Sequence, residues 1–324
     1  MSTTNRAFIK AYRHDTADAS PTTSAAPAML NQSAEVARES TGVVATATAT
    51  LAGSSATRPK FDAQRSGPKQ PLSSFIGRPQ SPARPAEVEN SNANILEPGT
   101  TVASLEWPKI CRTLNQACGP QLERVADLLR AQASAGRSLV GIMGLFPRIG
   151  ATTTALCLAA KAARKVRRAV LVDGNLCHPR IAAWLDAVPT VGWEEVLRHA
   201  APLADAVIRS TDDNLDILAL GTKLAQDPES LAGGLQAAVS AGVLRHAYDL
   251  VLIDLGPFFD PTSQPVVLEL VRNMGIDSLV AVSGPRPADP RDIATINEYL
   301  EPSGCELMGT IENRVAPALN KSMI

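Results

Sequence analysis

The chain has 324 residues, 31 Lys+Arg against 32 Asp+Glu, and a formal net charge of −1. That balance argues against a polybasic nucleic-acid binder and against an acidic tail protein. Hydrophobic residues make up 45% but aromatics only 4%, so the core must be built from Ala, Val, Leu and Ile, as in an α/β layer protein. The 24 prolines are unevenly placed, which points to a globular part joined to a disordered one.

Residues 16–98 are rich in Ala, Ser, Thr and Pro and carry no helical or strand period. Such a stretch cannot bury enough apolar area to offset its chain entropy, so residues 1–100 are expected to form a tail. Two islands interrupt it. Residues 6–14 place Phe8, Ile9 and Tyr12 on one helical face, and 71–79 hold Leu72, Phe75 and Ile76 at similar spacing. Both read either as short docking segments or as isolated apolar residues in a tail.

From Val102 the texture changes, and a folded domain is expected over 101–318, with 319–324 as the C-terminal end. Helices are expected over 107–118 and 121–133, the second with an apolar stripe of Leu122, Val125, Ala126 and Leu129. Gly136 is placed as a helix stop. Strands then alternate with helices. Strands are expected at 138–144, 169–174, 215–220, 248–254, 278–283 and 307–315. Helices are expected at 152–166, 181–185, 193–200, 228–245, 264–274 and 291–300. Strands that are apolar throughout and separated by helices imply a doubly wound, mostly parallel sheet covered on both faces.

The five cysteines form no CxxC pair, and their odd number in a long chain favours a reduced, cytoplasmic protein. The start MSTTNRAFIKAYRHD lacks the apolar stretch of a signal peptide. The longest apolar run, around 139–146, is far short of the roughly 20 residues of a membrane helix. No direct membrane insertion is expected.

The chemistry gathers in GIMGLFPRIGATTTALCLA, the first strand–loop–helix of the domain. A phosphate loop needs glycines so that backbone N–H groups can wrap the phosphates, a Lys for the β/γ-phosphates and a Ser or Thr for Mg²⁺. Gly150 stands directly before the helix, followed by Ala151, Thr152 and Thr153. Ala151 therefore occupies the Lys position, Arg148 a position often held by Gly, and Leu145 the first Gly position. The strict motif is absent. Further on, LVDGNLCHPRI and YDLVLIDLGP each set an Asp, Asp173 and Asp254, at the carboxyl end of a strand, where doubly wound sheets collect ligand groups. Both Asp residues also fit a cap or turn role.

With PRIGATT, LVDGNLCHP, GWEEVL, LALG followed by DPESL, YDLVLIDLGP and GTIEN in this order, the chain resembles the MinD/ParA-like P-loop NTPase superfamily. Within it, the resemblance is to the cytosolic domain of bacterial tyrosine kinases of the capsule and exopolysaccharide type. The resemblance spans 107–315 and implies an ATP-dependent enzyme. It assigns the Mg²⁺-binding hydroxyl to Thr152 and the Walker-B Asp to Asp254. Asp173 is assigned to arranging water or metal, and Asn313 to the neighbourhood of the adenine base. Arg148, Gly150, Ala151, Thr152 and Thr153 take the phosphate-loop positions. Asn175 falls where the family has a second Asp.

The departures remove groups that phosphoryl transfer relies on, since that reaction is almost all positioning and charge neutralisation. Ala151 offers no ammonium, and each lost charge-assisted hydrogen bond costs about 1.5–3 kcal/mol. Arg148 is the nearby cation, but its bulk at a Gly position works against the loop's wrapped path. No Tyr follows Tyr299, so a self-phosphorylated tyrosine tail is not supported. His178 lies in the loop after the second strand, facing the site or standing as a plain loop residue, and Trp193 reads as packing. Three functions follow from the resemblance. The first is a degenerate, non-catalytic partner, regulatory or scaffolding, in exopolysaccharide or capsule assembly or export, with ATP/ADP and Mg²⁺ binding weakened or lost. The second is a working ATPase or tyrosine-kinase-like enzyme. The third is a ParA/MinD-type positioning factor, disfavoured by the lack of an amphipathic membrane helix or a basic stripe for DNA. The first two imply a membrane-bound polysaccharide chain-length or export protein as recruiting partner, and a homo-oligomer.

Overall fold

The computed structural model describes residues 11–12, 96–221 and 227–314. The expected segment at 71–79, all of 6–14 except Ala11–Tyr12, and the end 319–324 lie outside them. The chain runs β1 (Ala11–Tyr12), β2 (Thr100–Val102), α1 (Lys109–Ser134), β3 (Leu139–Gly144), α2 (Ala151–Ala162), β4 (Ala169–Asp173), α3 (Ile181–Trp184), α4 (Trp193–Leu197), α5 (Leu203–Ala206), β5 (Val207–Ser210), β6 (Leu215–Leu218), α6 (Pro228–Gly233), α7 (Leu235–Ala247), β7 (Leu250–Pro257), α8 (Gln264–Met274), β8 (Ser278–Ser283), α9 (Pro290–Leu300) and, after a 3₁₀ turn, β9 (Glu306–Glu312).

The strands form one sheet in the order β1-β9-β8-β3-β7-β4-β6-β5-β2. Its centre, from β9 to β6, is parallel throughout. The edges depart from this: β5 runs antiparallel to β6, β2 follows β5 in parallel, and β1 is antiparallel to β9. The doubly wound, mostly parallel α/β class is the one the alternation of apolar runs and helices implies. β3, β4, β7 and β8 are buried at every position, because strands with helices on both faces have no solvent side.

Period two divides each central strand between two cores. Val140 and Ile142 of β3 join Leu122 and Leu129 of α1 and Leu156 of α2 in one layer. Leu139 and Met143 join Trp193, Leu244, Leu270 and Ile296 in the other. The helices expected at 107–118 and 121–133 are run together as α1, with non-helical φ/ψ at Cys118 and Pro120 inside. The proline lacks the N–H that an unbroken helix would use, so the two halves meet at a kink. The single helix expected over 228–245 is divided by an extended Gly234. At Ala11–Tyr12 the helical spacing gives way to a short antiparallel pairing with Thr310 and Ile311.

Candidate phosphate and metal site

β3 ends at Gly144 between β7 and β8, so the loop that follows opens at the carboxyl end of the sheet's centre. Gly150 closes the loop with φ 88 and ψ 26. This is left-handed backbone, and a Cβ there would stand 2.3 Å from Asn313 Nδ2. Glycine is required on both counts. Arg148 is also left-handed, with φ 63, and its side chain is exposed. The arginine therefore does not unwrap the loop. It adopts the backbone shape a glycine would take, at a cost of about 1–2 kcal/mol.

The loop is fastened from several sides. The Leu145 N–H donates to Val282 O at 2.8 Å, and the Phe258 and Phe259 N–H groups donate to Gly144 O at 2.7 Å and Leu145 O at 2.8 Å. Asn313 Nδ2 donates to Ile149 O at 2.8 Å, and Thr154 Oγ1 donates to Gly150 O at 2.9 Å. Ile149 reaches inward, so that a Cβ on Gly144 would meet its Cγ1 and the Ala151 Cβ, both at 3.3 Å. The resemblance places Asn313 beside a base; here its amide braces the loop. α2 begins with no acidic residue in its first turn and no side-chain cap. Its leading N–H groups are left for an anion, favoured further by the helix dipole.

Asp173 and Asp254 are register partners on neighbouring β4 and β7, and each is 0% exposed. Their surroundings differ. Asp173 Oδ2 accepts from the Arg180 and Ile181 N–H groups, both at 3.0 Å, and Oδ1 accepts from Asn175 N–H at 3.3 Å. The cap role that its position allowed is thus realised at the start of α3. Neither oxygen of Asp254 has a well-formed hydrogen bond within the structure, although the Thr152 hydroxyl and the Gly256 N–H lie near enough to favour its charged form. Burial pushes Asp254 up to about 6. Burial, and then the neighbouring Asp254 charge, pushes Asp173 up to about 7. Asn175, standing where the family has a second acid, accepts from His178 N–H at 3.2 Å and lies against Gly256. His178 itself is exposed.

The fit to a magnesium–nucleotide is therefore divided. A buried carboxylate with no well-formed hydrogen bond, next to a hydroxyl at a helix start, is an oxygen set that suits a hard divalent cation. No group of three or more His, Cys, Asp or Glu able to hold a metal occurs among the described residues, so Thr152 and water would have to complete the shell. The helix start keeps its backbone donors, and Ala151 at its head offers a methyl and no cation. Thr153 is buried within the helix start.

Two features escape a reading from the motifs. Phe146, 46% exposed, stacks at 5.4 Å on Phe259, which meets the buried Phe258 edge-on at 5.1 Å. An aromatic lip thus lines the loop in a chain poor in aromatics. The cue in the sequence is the pair of phenylalanines directly after β7. The second is Glu194 of GWEEVL. It is buried, accepts from Gly221 N–H at 2.8 Å, and fills the space beside Gly192 and Gly221 that a side chain there would take. Trp193, beside it, is fully buried packing.

This sheet order, with a glycine-closed loop at the head of α2 and two strand-end carboxylates, is that of a doubly wound α/β protein. Within that class the chain has the fold of bacterial tyrosine-kinase domains, and the resemblance carried by its motifs holds. It is 26% identical over 183 residues to the tyrosine-protein kinase YwqD of Bacillus subtilis (strain 168), covering 56% of this chain and 75% of that protein. Its structure matches the kinase domain of the Escherichia coli tyrosine kinase ETK with a TM-score of 0.54, at 17% identity, over 68% of this chain and 90% of the other. It matches the chimerical protein CapA2B2 with the same TM-score of 0.54, at 19% identity, over 67% and 95%. No family model matches the chain. No helix among the described residues is long and apolar enough to cross a membrane.

Proposed function

We propose that this protein is a P-loop protein that has given up phosphoryl transfer. In this reading it serves as a regulatory or scaffolding partner in exopolysaccharide or capsule assembly or export, held at the cytoplasmic face of the membrane by a chain-length or export protein. The observation that carries the proposal is Ala151 at the head of α2, in a loop that otherwise keeps its wrapped path. When bound, a magnesium–nucleotide would supply the transferable γ-phosphoryl group. Asp254 and Thr152 would hold the cation, with Asp173 beside them. The leading N–H groups of α2, at Ala151, Thr152 and Thr153, would receive phosphate oxygens. The Ala151 methyl leaves the charge that builds up on the β/γ-oxygens without the ammonium that a lysine there would supply beside the metal, and in such sites charge stabilisation is usually the largest catalytic term. The retained carboxylates support residual cation or nucleotide binding as a structural ligand.

Arg148 supports a second reading, an active ATPase or tyrosine-kinase-like enzyme. Its guanidinium is exposed on the loop, within the stretch that would wrap phosphates.

Calorimetric titration with Mg–ATP and a turnover assay, run on the wild type, Ala151→Lys and Arg148→Ala, separate the two. The non-catalytic reading expects no turnover in the wild type and a gain in nucleotide affinity of about 10–100-fold for Ala151→Lys, the worth of one charge-assisted hydrogen bond. Turnover in the wild type that disappears in Arg148→Ala establishes the second reading instead.

A further inference from the structure

β9 pairs in parallel with β8 along one side, from Glu306 to Glu312. Along the other side, among the described residues, it carries β1 alone, with Ala11 opposite Ile311 and Tyr12 opposite Thr310 in antiparallel register. Between its end residues β9 reads LMGTI, with neither Pro nor charge, two of the devices that blunt a sheet edge. Such an edge accepts an added strand through main-chain hydrogen bonds. The opposite edge of the sheet is closed differently. β2 runs beside β5 and is tied at both ends. Gly99 N–H donates to Ala204 O at 2.8 Å, and the Thr211 and Asp212 N–H groups donate to Val102 O at 3.2 Å and Ala103 O at 2.9 Å. Outside its ladder, β1 makes no backbone hydrogen bond to the rest of the described residues.

We propose that the outer edge of β9 is a reversible docking site for the chain's own N-terminal strand, Ala11–Tyr12, and that its occupation sets how firmly Asn313 holds the loop 145–150. Three observations carry this. The first is the occupant itself, which is seated on the edge. The second is where it sits. It pairs with Thr310 and Ile311, at the end of β9 that runs into Asn313, and leaves the stretch 306–309 open on that side. Asn313 is the loop's brace: its Nδ2 donates to Ile149 O at 2.8 Å and its N–H to Ser283 O at 2.9 Å. A strand added at 310–311 widens the ladder around the exit of β9 and so restricts the backbone from which Asn313 reaches the loop. The third is the strength of the pairing. Bringing Tyr12 back to Thr310 closes a long loop, whose entropy cost grows with its length. Two ladder residues offset that cost with few hydrogen bonds. β1 is therefore in exchange between seated and released, whereas β2 is held by its flanking hydrogen bonds. This inference goes beyond the proposed function, because it concerns the loop's tether and needs no nucleotide.

Amide hydrogen exchange of the full chain, followed by NMR in the absence of nucleotide, tests the proposal. The N–H groups of Thr310 and Ile311 point to opposite sides of β9, so one of them faces β1. The double substitution Ala11→Pro/Tyr12→Pro removes both N–H donors of β1 and leaves the rest of the chain as it is. In the wild type the amide that faces β1 is expected to exchange about 10-fold more slowly than in the proline variant. Amides of the loop 145–150 are expected to follow it by a smaller factor, while those of β3, β7 and β2 exchange alike in both proteins. A synthetic peptide of residues 6–14, added in excess to the proline variant, is expected to restore the slow exchange at the edge and in the loop. Equal exchange at 310–311 in the two proteins overturns the docking. An edge amide that is freed while 145–150 stays unchanged overturns the link to the loop, as does a peptide that restores neither. Protection that grows with protein concentration overturns the assignment to the chain's own segment, since a second copy or another chain then fills the edge.

Discussion

The two ends of the sheet treat buried carboxylates in opposite ways. At the amino end, Asp216 is 5% exposed on the wall of a cavity of about 240 Å³, and it is fully partnered. It accepts from Arg209 through Nε at 3.0 Å and a terminal nitrogen at 2.9 Å, and from the Tyr248 hydroxyl at 2.7 Å. The Arg168 guanidinium lies 3.5 Å away and sits over the Tyr248 ring. The carboxylate holds the Arg209 guanidinium in its charged form, and burial, followed by the Asp216 charge, keeps the Tyr248 phenol protonated. At the carboxyl end, Asp254 is buried completely with no well-formed hydrogen bond, and Asp173 stands beside it. A buried charge that serves only the fold is neutralised by its neighbours. One held by no well-formed hydrogen bond and no cation destabilises the fold, and its natural explanation is a ligand that arrives from outside. The amino end is finished in the free protein and the carboxyl end is not.

Four substitutions probe that contrast. Asp216→Ala strands two guanidiniums and a phenol around a half-open cavity, so it is expected to lower unfolding free energy the most, by about 2–4 kcal/mol in urea titration. A loss under 1 kcal/mol would mean that solvent already screens the cluster. Gly150→Ala forces a side chain onto left-handed backbone and into Asn313, with an expected loss of about 2 kcal/mol. Nucleotide affinity, where present, should fall with it.

Asp254→Asn is expected to act in the other direction. An acid whose pKa is raised on folding holds its proton more tightly folded than unfolded, so its contribution favours folding at low pH. Stability then declines as pH rises from the ordinary value of 3.8 through about 6 for Asp254 and about 7 for Asp173. In metal-free buffer at pH 8, Asp254→Asn should therefore stabilise the protein, by about 1–2 kcal/mol, with the gain vanishing toward pH 4. Added magnesium should close the gap by stabilising the wild type alone. A destabilised variant at pH 8 would place Asp254 among the structural acids and erase the contrast. Arg148→Gly is the smallest change. Relief of left-handed strain outweighs the entropy of a glycine by about 0.5 kcal/mol, visible as a slight rise in thermal midpoint.

What the sequence makes legible follows from how local each feature is. The central strands are plain because burial on both faces leaves unbroken apolar runs such as LVGIMG and LVLID. Gly150, Ala151 and Thr152 are plain because a phosphate loop is contiguous in the chain. β5, reading VIRS, and β2, reading TTV, were not anticipated. They are short edge strands with polar positions, and the second emerges directly from an Ala/Ser/Thr/Pro-rich background. The state of Asp254 is not legible either, since the want of a well-formed hydrogen bond is a property of three-dimensional surroundings. The same holds for Arg148, whose residue type argued against the wrapped loop that its φ of 63 allows. Motif position marks Asn313, but it cannot tell a base contact from the brace on the loop that its amide makes at Ile149 O.

That brace has a consequence for the order of folding. Asn313 secures Ile149 across 164 residues of chain, and its own N–H is fixed on Ser283 O. On a ribosome the loop emerges long before the strand whose exit holds it. Domains gain structure as they are synthesised, and contacts between distant parts of a chain form late. A nascent chain stopped after β8 can therefore lay down the middle of the sheet with its loop still untied. The loop acquires its final shape only when the end of β9 arrives, so that completion of the domain and completion of the loop are one event.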